Sequence, residues 1–192
     1  MTSFSWKKGA RSLIEQRILP AVKNMKDFEK LLESDTKYIV LLDTRIALLK
    51  SLVRYSKKTE KKVFVHADLI QGLKTDEYGM EFLGQEVKPD GVISTRASVI
   101  QQAKKYKMTA IQRMFLIDSH AIDHNLKLLR KTKPDYVELL PGILPEQITA
   151  IKEAVGIPII AGGLIRNHQE VDQAIEAGAT AISTSRSDLW DF

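Results

Sequence analysis

The sequence predicts an α/β fold: a compact TIM (β/α)8 barrel with a weak third helical unit and a short last helix. Three observations predict it. Eight short runs rich in β-branched residues and Leu alternate with stretches of helical spacing. The runs are nearly all apolar, as in YIVLLD and PIIAGG, which suits parallel strands buried on both faces. No G-x-G-x-x-G follows the first run, which disfavours an open doubly wound sheet. Eight units in 192 residues leave about 24 residues each, enough for a strand, a helix and short loops. Strand–helix alternation implies a parallel sheet with right-handed crossovers, and eight such units close into a ring.

The first run spans 19–22 and the second 38–43. After the second, residues 44–57 repeat Leu48, Leu49, Leu52 and Val53 at helical spacing. The third run, 62–68, precedes the weakest unit. Residues 69–88 hold three glycines and little amphipathic pattern, so an extended loop rather than a helix is expected there. The fourth run, 91–95, leads through a Thr-Arg turn into helical residues 98–106. The fifth, 110–116, leads into 119–131, with Ile122, Leu126 and Leu129. The sixth, 136–140, leads into 145–155, which opens with Pro145 in its first turn. The seventh, 158–162, leads into 167–177, which begins at an Asn167 cap and stops at Gly178. The eighth is 181–184, and the residues around 186–192 have room for only one or two helical turns. So short a ring helix leaves barrel wall exposed. Cover would come from the N-terminal segment, with Phe4, Trp6, Leu13 and Ile14, or from a second subunit, making a dimer the expected state. Residues 1–17 carry no recognisable motif, and residues 1–192 read as a single domain without a linker.

Composition excludes several classes of function. The chain is 44% hydrophobic and 28% charged, enough to bury a core. It has no cysteine, which rules out disulfides, thiolate zinc, iron–sulfur clusters and a thiol nucleophile, and suits a reducing cytosol. The longest apolar stretch, 157–165, contains a Pro and two Gly and falls far short of the roughly 20 residues of a membrane span. The N-terminal MTSFSWKKGARSL has no continuous apolar stretch of signal-peptide type. A soluble cytoplasmic protein with no membrane partner is expected. The net charge of +5 is compatible with a polyanionic partner.

Ligands in such barrels bind at the carboxyl ends of the strands. The seventh run ends in Gly162-Gly163, where backbone N–H groups approach a ligand without interference from a Cβ. The eighth ends in Ser183, Thr184 and Ser185, hydroxyl donors opening a short helix, with Arg186 adding a bidentate fork. Together they suggest a phosphate cradle. The other strand ends bring Lys23, Asp43, His66, Asp68, Arg113 and Glu138, a mixture of donors and acceptors that suits a small polyol. Asp43, Asp68 and Glu138 also fit acid–base catalysis or magnesium binding, and pairing with neighbouring Lys or Arg explains them equally well. His120 and His124 sit in HAIDH rather than HExxH, so they read as surface helix residues, and no metal site is expected.

The opposite end is basic. Lys57, Lys58, Lys61 and Lys62 precede the third run; Lys104, Lys105 and Lys107 the fifth; Lys127, Arg130, Lys131 and Lys133 the sixth. These are 11 of 29 basic residues, all at helix carboxyl ends and the turns that follow. Helix-dipole complementarity explains one or two per helix. The excess suggests a surface for a nucleic-acid backbone.

The strings VHADLIQGL (65–73), DGVISTR (90–96), QRMFLIDS (112–119), PDYVELLPGI (134–143), IPIIAGGLI (157–165) and AGATAISTS (177–185), with the closing DLW (188–190), resemble the glycerol uptake operon antiterminator regulatory proteins of Gram-positive bacteria. The resemblance runs through nearly all of the chain beyond residue 18 and rests on six strand-end motifs in order. It implies a compact TIM barrel that regulates rather than catalyses, with no catalytic residues and no cofactor. It further implies glycerol 3-phosphate as effector and the mRNA leader of a glycerol-catabolism transcript as target, where premature termination is prevented. The resemblance does not specify where RNA binds; the basic rim supplies a place. The competing reading is a small TIM-barrel enzyme acting on a phosphorylated polyol or phosphodiester. Against it, no Lys is placed to form a Schiff base and no dense carboxylate cluster points to a divalent metal.

Overall fold

The computed structural model describes residues 14–190. Phe4, Trp6 and Leu13, considered above as cover for the barrel wall, lie outside the described residues. Eight parallel strands close into a barrel in chain order: β1 (Ile18–Val22), β2 (Tyr38–Leu41), β3 (Lys62–His66), β4 (Gly91–Ser94), β5 (Thr109–Phe115), β6 (Tyr136–Leu140), β7 (Ile159–Gly162) and β8 (Ala179–Thr184). Each helix returns the chain to the base of the next strand: α1 (Met25–Glu33), α2 (Ile46–Lys58), α3 (Glu77–Phe82), α4 (Ala97–Lys105), α5 (Ser119–Thr132), α6 (Pro145–Val155) and α7 (His168–Glu176). Caps set their starts: Asn24, Asp118 and Asn167 each accept a backbone N–H three residues on, at 2.9, 2.7 and 2.9 Å.

Helix α1 was not singled out from the sequence. Its buried face is only Phe28, Leu31 and Leu32, an i, i+3, i+4 set. A second difference lies in residues 69–88, which are not an extended loop. The segment begins in a 3-10 turn at Ala67–Leu69. Its two-residue strand Ile70–Gln71 then pairs with Thr44–Arg45, and α3 follows, widening into a π turn at Leu83–Val87. The change of helical period hides the pattern of Met80, Leu83 and Val87, all buried. Two of the three glycines that read as breakers are close approaches; the third, Gly72, takes a turn conformation at φ +86°. A Cβ at Gly79 would lie 1.7 Å from the Lys74 carbonyl oxygen, and one at Gly84 2.4 Å from the Tyr106 ring.

The core has two layers. Outside the strands, the helices bury an aliphatic shell. Inside, Leu19, Tyr38, Phe64, Ile93, Ile111, Tyr136 and Ile160 fill the bore. Ile14 plugs its base, buried, with its N–H donated to Tyr136 Oη at 3.1 Å. Gln16 fastens this plug: Oε1 accepts the N–H groups of Lys37 and Tyr38, both at 2.9 Å. Ile14 therefore covers the floor and not the side wall. Beside β8 the last helix is a 3-10 turn, Ser187–Leu189, and the wall is covered by Leu189 and Trp190. The Trp190 indole N–H is donated to the Thr184 carbonyl at 3.0 Å. The wall expected to be bare beside the short last helix is thus covered by the chain's own residues.

Candidate ligand site at the strand carboxyl ends

Strand alternation sends every second residue into the bore. Phe64 and His66, Ile111 and Arg113, Tyr136 and Glu138, Ile160 and Gly162, and Ala181 and Ser183 are such pairs, apolar or small below and, except for Gly162, polar above. The upper residues make the floor of the mouth. In-register pairing of β5 with β6 sets Arg113 beside Glu138. Glu138 is 1% exposed, and its two oxygens are both engaged. Oε2 meets Arg113 Nε at 2.7 Å, and Oε1 accepts the Ser183 hydroxyl at 2.6 Å. That hydroxyl reaches from β8 to β6 across β7. The crossing requires Gly162, because a Cβ there would lie 2.3 Å from Ser183 Oγ.

Above this floor lies a cleft of about 970 Å³. Lys23, Asp43, Asp68, Arg113, Glu138, Gly163, Ser183, Thr184, Ser185 and Arg186 line it. Of the ligand residues expected from the sequence, Gly162 and His66 do not line the cleft. Gly162 makes room for the Ser183–Glu138 bond, and His66 is buried, 2% exposed. Several lining groups are already engaged. Asp68 Oδ2 accepts Ser94 Oγ and the Thr95 N–H at 2.9 and 3.0 Å, and Oδ1 lies 3.3 Å from Arg96 Nε. Asp68 thus fastens the β4 turn. The Arg186 guanidinium is forked onto Asp188 at 2.7 and 3.2 Å, which holds the arginine firmly charged and the Asp188 carboxyl below its usual range. Thr184 Oγ1 accepts the Arg186 N–H at 3.1 Å, closing the β8 turn.

Two lining residues were missed. Arg166, in the turn after β7, brings a second arginine, its backbone N–H held by Glu170 at 2.6 Å. Strand-end reasoning carried three residues past Gly163 would have found it. Gln71 donates to Asp43 Oδ1 at 3.1 Å. Only the two-residue strand pairing places it there, and no sequence signal marks that pairing. Leu164, at φ +61° and largely exposed, and Ile165 supply an apolar lip.

His66 differs from its neighbours. Neither ring nitrogen has a hydrogen-bond partner among the described residues. Its pKa is lowered to about 4, by burial first and the Arg113 charge second, while Glu138, Asp68 and a weak interaction with its own backbone act less strongly in the other direction. The imidazole is neutral at neutral pH.

The basic rim is partly internal. Lys61 is buried with its ammonium on the Ser34 carbonyl, so it does not face a partner. Lys57 caps the Lys88 carbonyl at 2.6 Å, and Lys104 caps that of Lys133. Lys62 lies 5.4 Å from the Tyr38 ring centroid, and Lys105 pairs with Glu77 at 3.6 Å. Lys58, Lys107, Lys127, Arg130, Lys131 and Lys133 are exposed. His120 and His124 are exposed on α5, and no group of His, Cys, Asp or Glu able to hold a metal ion occurs among the described residues. No helix among those residues is long and apolar enough to cross a membrane.

Fold and site define a class: a closed (β/α)8 barrel whose mouth gathers arginines and hydroxyls above an Arg–Glu floor in one polar cleft. The chain belongs to the glycerol-3-phosphate responsive antiterminator family, whose model matches residues 18–190. The glycerol uptake operon antiterminator regulatory protein of Listeria monocytogenes is 50% identical, with a TM-score of 0.90 over 93% of this chain and 96% of its own. A glycerol uptake operon antiterminator-related protein of Thermotoga maritima is 28% identical, with a TM-score of 0.81 over 92% of this chain and 99% of its own. YgcP of Escherichia coli K12 is 31% identical over 178 residues, 93% of each chain. Aldolases 15% identical share the barrel fold alone.

Proposed function

We propose that this protein is a glycerol-3-phosphate-responsive, RNA-binding transcription antiterminator that regulates glycerol catabolism genes in the cytoplasm, and that it is not an enzyme. The observation that carries the reading is the asymmetry of the cleft. One wall, formed by the turns after β7 and β8, gathers Gly163, Ser185, Arg166 and Arg186. The floor beside it is the buried Arg113–Glu138–Ser183 network. A phosphate sits against the wall, where glycine and hydroxyl residues and two arginines favour an anion. Lys23 balances its charge, and the polyol end lies over the floor within reach of Asp43 and Gln71. Ser183 and Gly162 support that floor rather than donate to phosphate. The engagement of Glu138 and Asp68 on protein partners favours a binding site over an acid–base pair.

RNA lies on the exposed part of the basic rim: Lys58, Lys62, Lys107, Arg130 and Lys131, with Lys57, Lys104 and Lys105 at its edge. Lys61 leaves this set because it is buried. Ligand promotes antitermination only if it binds more tightly to the RNA-competent state. A coupling of roughly 1–3 kcal/mol corresponds to about 5- to 150-fold in RNA affinity. Calorimetric titration with sn-glycerol 3-phosphate tests the first half. Saturable one-site binding that is lost in Ser185→Glu, where a carboxylate occupies the phosphate wall, is the expected result; no heat with the wild-type protein overturns the reading.

A further inference from the structure

We infer that His66 is a specificity-determining residue that reads an alcohol hydroxyl of the bound ligand, so that the site selects phosphate esters with a free hydroxyl over alkyl phosphates of the same length. The inference rests on the ligand reading above and concerns the end of the ligand away from the phosphate.

The ring order sets the geometry. β3, which ends at His66, and β7, which ends at the phosphate wall, are separated by three strands on either side. They face each other across the bore. A ligand anchored by phosphate at β7 and β8 points its carbon chain toward β3. Alternation along β3 turns His66 the same way as Phe64, which lies in the bore core. The ring is 2% exposed, and neither nitrogen has a side-chain partner among the described residues, whereas Glu138 and Ser183, also turned into the bore, are engaged. Two idle polar atoms at that depth are costly, and native folds rarely keep them without a use.

The chemistry of the ring selects the partner. A neutral imidazole offers one N–H and one lone pair. An alcohol accepts the first and donates to the second. A ketone only accepts, and an alkyl group does neither. A carboxylate would be set against the buried charge of Glu138. The family's glycerol 3-phosphate carries two hydroxyls, and one of them is assigned to His66, whose ring is turned into the bore beneath the cleft rather than set on its lining.

The test compares sn-glycerol 3-phosphate with n-propyl phosphate by calorimetry, on wild type, His66→Phe and His66→Asn. Wild type should prefer the glycerol ester by on the order of 10-fold or more, since a site built for a hydroxyl leaves polar groups unpaired when it is absent. His66→Phe should bring the affinity ratio near one, and His66→Asn, which keeps a donor and an acceptor, should restore part of it. Ring nitrogen NMR shifts of wild-type His66 provide a measure independent of how the variants fold. They should move with glycerol 3-phosphate and stay still with n-propyl phosphate. A wild type that does not distinguish the two esters, a His66→Phe variant that keeps the full preference, or ring shifts unmoved by the glycerol ester overturns this inference alone. A wild type that binds neither ester overturns the ligand reading and this inference with it.

Discussion

Arg113 and Glu138 form the pair on which the floor depends. Arg113→Met leaves a buried carboxylate without its cation and should cost about 3–5 kcal/mol in urea denaturation at pH 7. A loss below 1 kcal/mol would mean the pair is solvated and the floor is not as described. His66 gives a second expectation, with a definite sign. Its folded pKa of about 4 lies below the ordinary 6.5, so between these values the unfolded chain binds a proton that the native state refuses. Stability is full above pH 6.5 and declines as pH falls toward 4. Unfolding at pH 7 and pH 5 should show that decline in wild type and a smaller one in His66→Phe; equal declines would contradict a buried neutral imidazole. At this scale much was legible. The strand-end rule places most of the expected ligand residues on one cleft, because side-chain period and strand direction are written in the sequence. It fails for Ser183 and Gly162, whose roles come from a contact between β6 and β8 that local pattern does not encode. It fails for Lys61 as well, since a carbonyl 27 residues away draws its ammonium inside.

At the level of elements, every strand of the barrel is readable, and so are the helices that keep one period, except α1, whose buried face is only three residues. Segment 69–88 defeats that reading because a 3-10 turn, an α-helix and a π turn follow one another, each with its own spacing. Two of its glycines, Gly79 and Gly84, are there for packing, and Gly72, at φ +86°, for its turn. Gly79→Ala must open the turn at Lys74 and should destabilise by about 1–3 kcal/mol; a neutral effect in thermal unfolding would show that the turn yields freely. The short C-terminal turn has the opposite character. Trp190 is buried and bonded to the Thr184 carbonyl. Trp190→Ala should cost about 3–5 kcal/mol and weaken phosphate binding at the β8 turn. Lost stability with unchanged ligand affinity would separate the cover from the site.

Over the whole molecule, the barrel keeps two features apart: a polar cleft of about 970 Å³ at the carboxyl ends of the strands and a partly exposed basic rim at the other end. Each lysine lost from a phosphate contact should lower the slope of log affinity against log salt by nearly one unit. Charge reversal at Lys58 and Lys62 should flatten the salt dependence of leader-RNA binding, and an unchanged slope would move RNA off this rim. Lys61→Gln should instead lower stability and leave the slope alone. The division into two ends was visible in the sequence because barrel topology assigns every αβ turn to one end and every βα turn to the other. The ligand's place within its end is open to a residue-by-residue measurement: backbone amide shifts recorded while sn-glycerol 3-phosphate is added to isotopically labelled protein. Saturable shifts at Gly163, Leu164, Ser185 and Arg186, with the floor near Glu138 following, are the predicted result. Shifts confined to the basic rim, or none at all, would contradict a metabolite held at the mouth and leave RNA binding without its trigger.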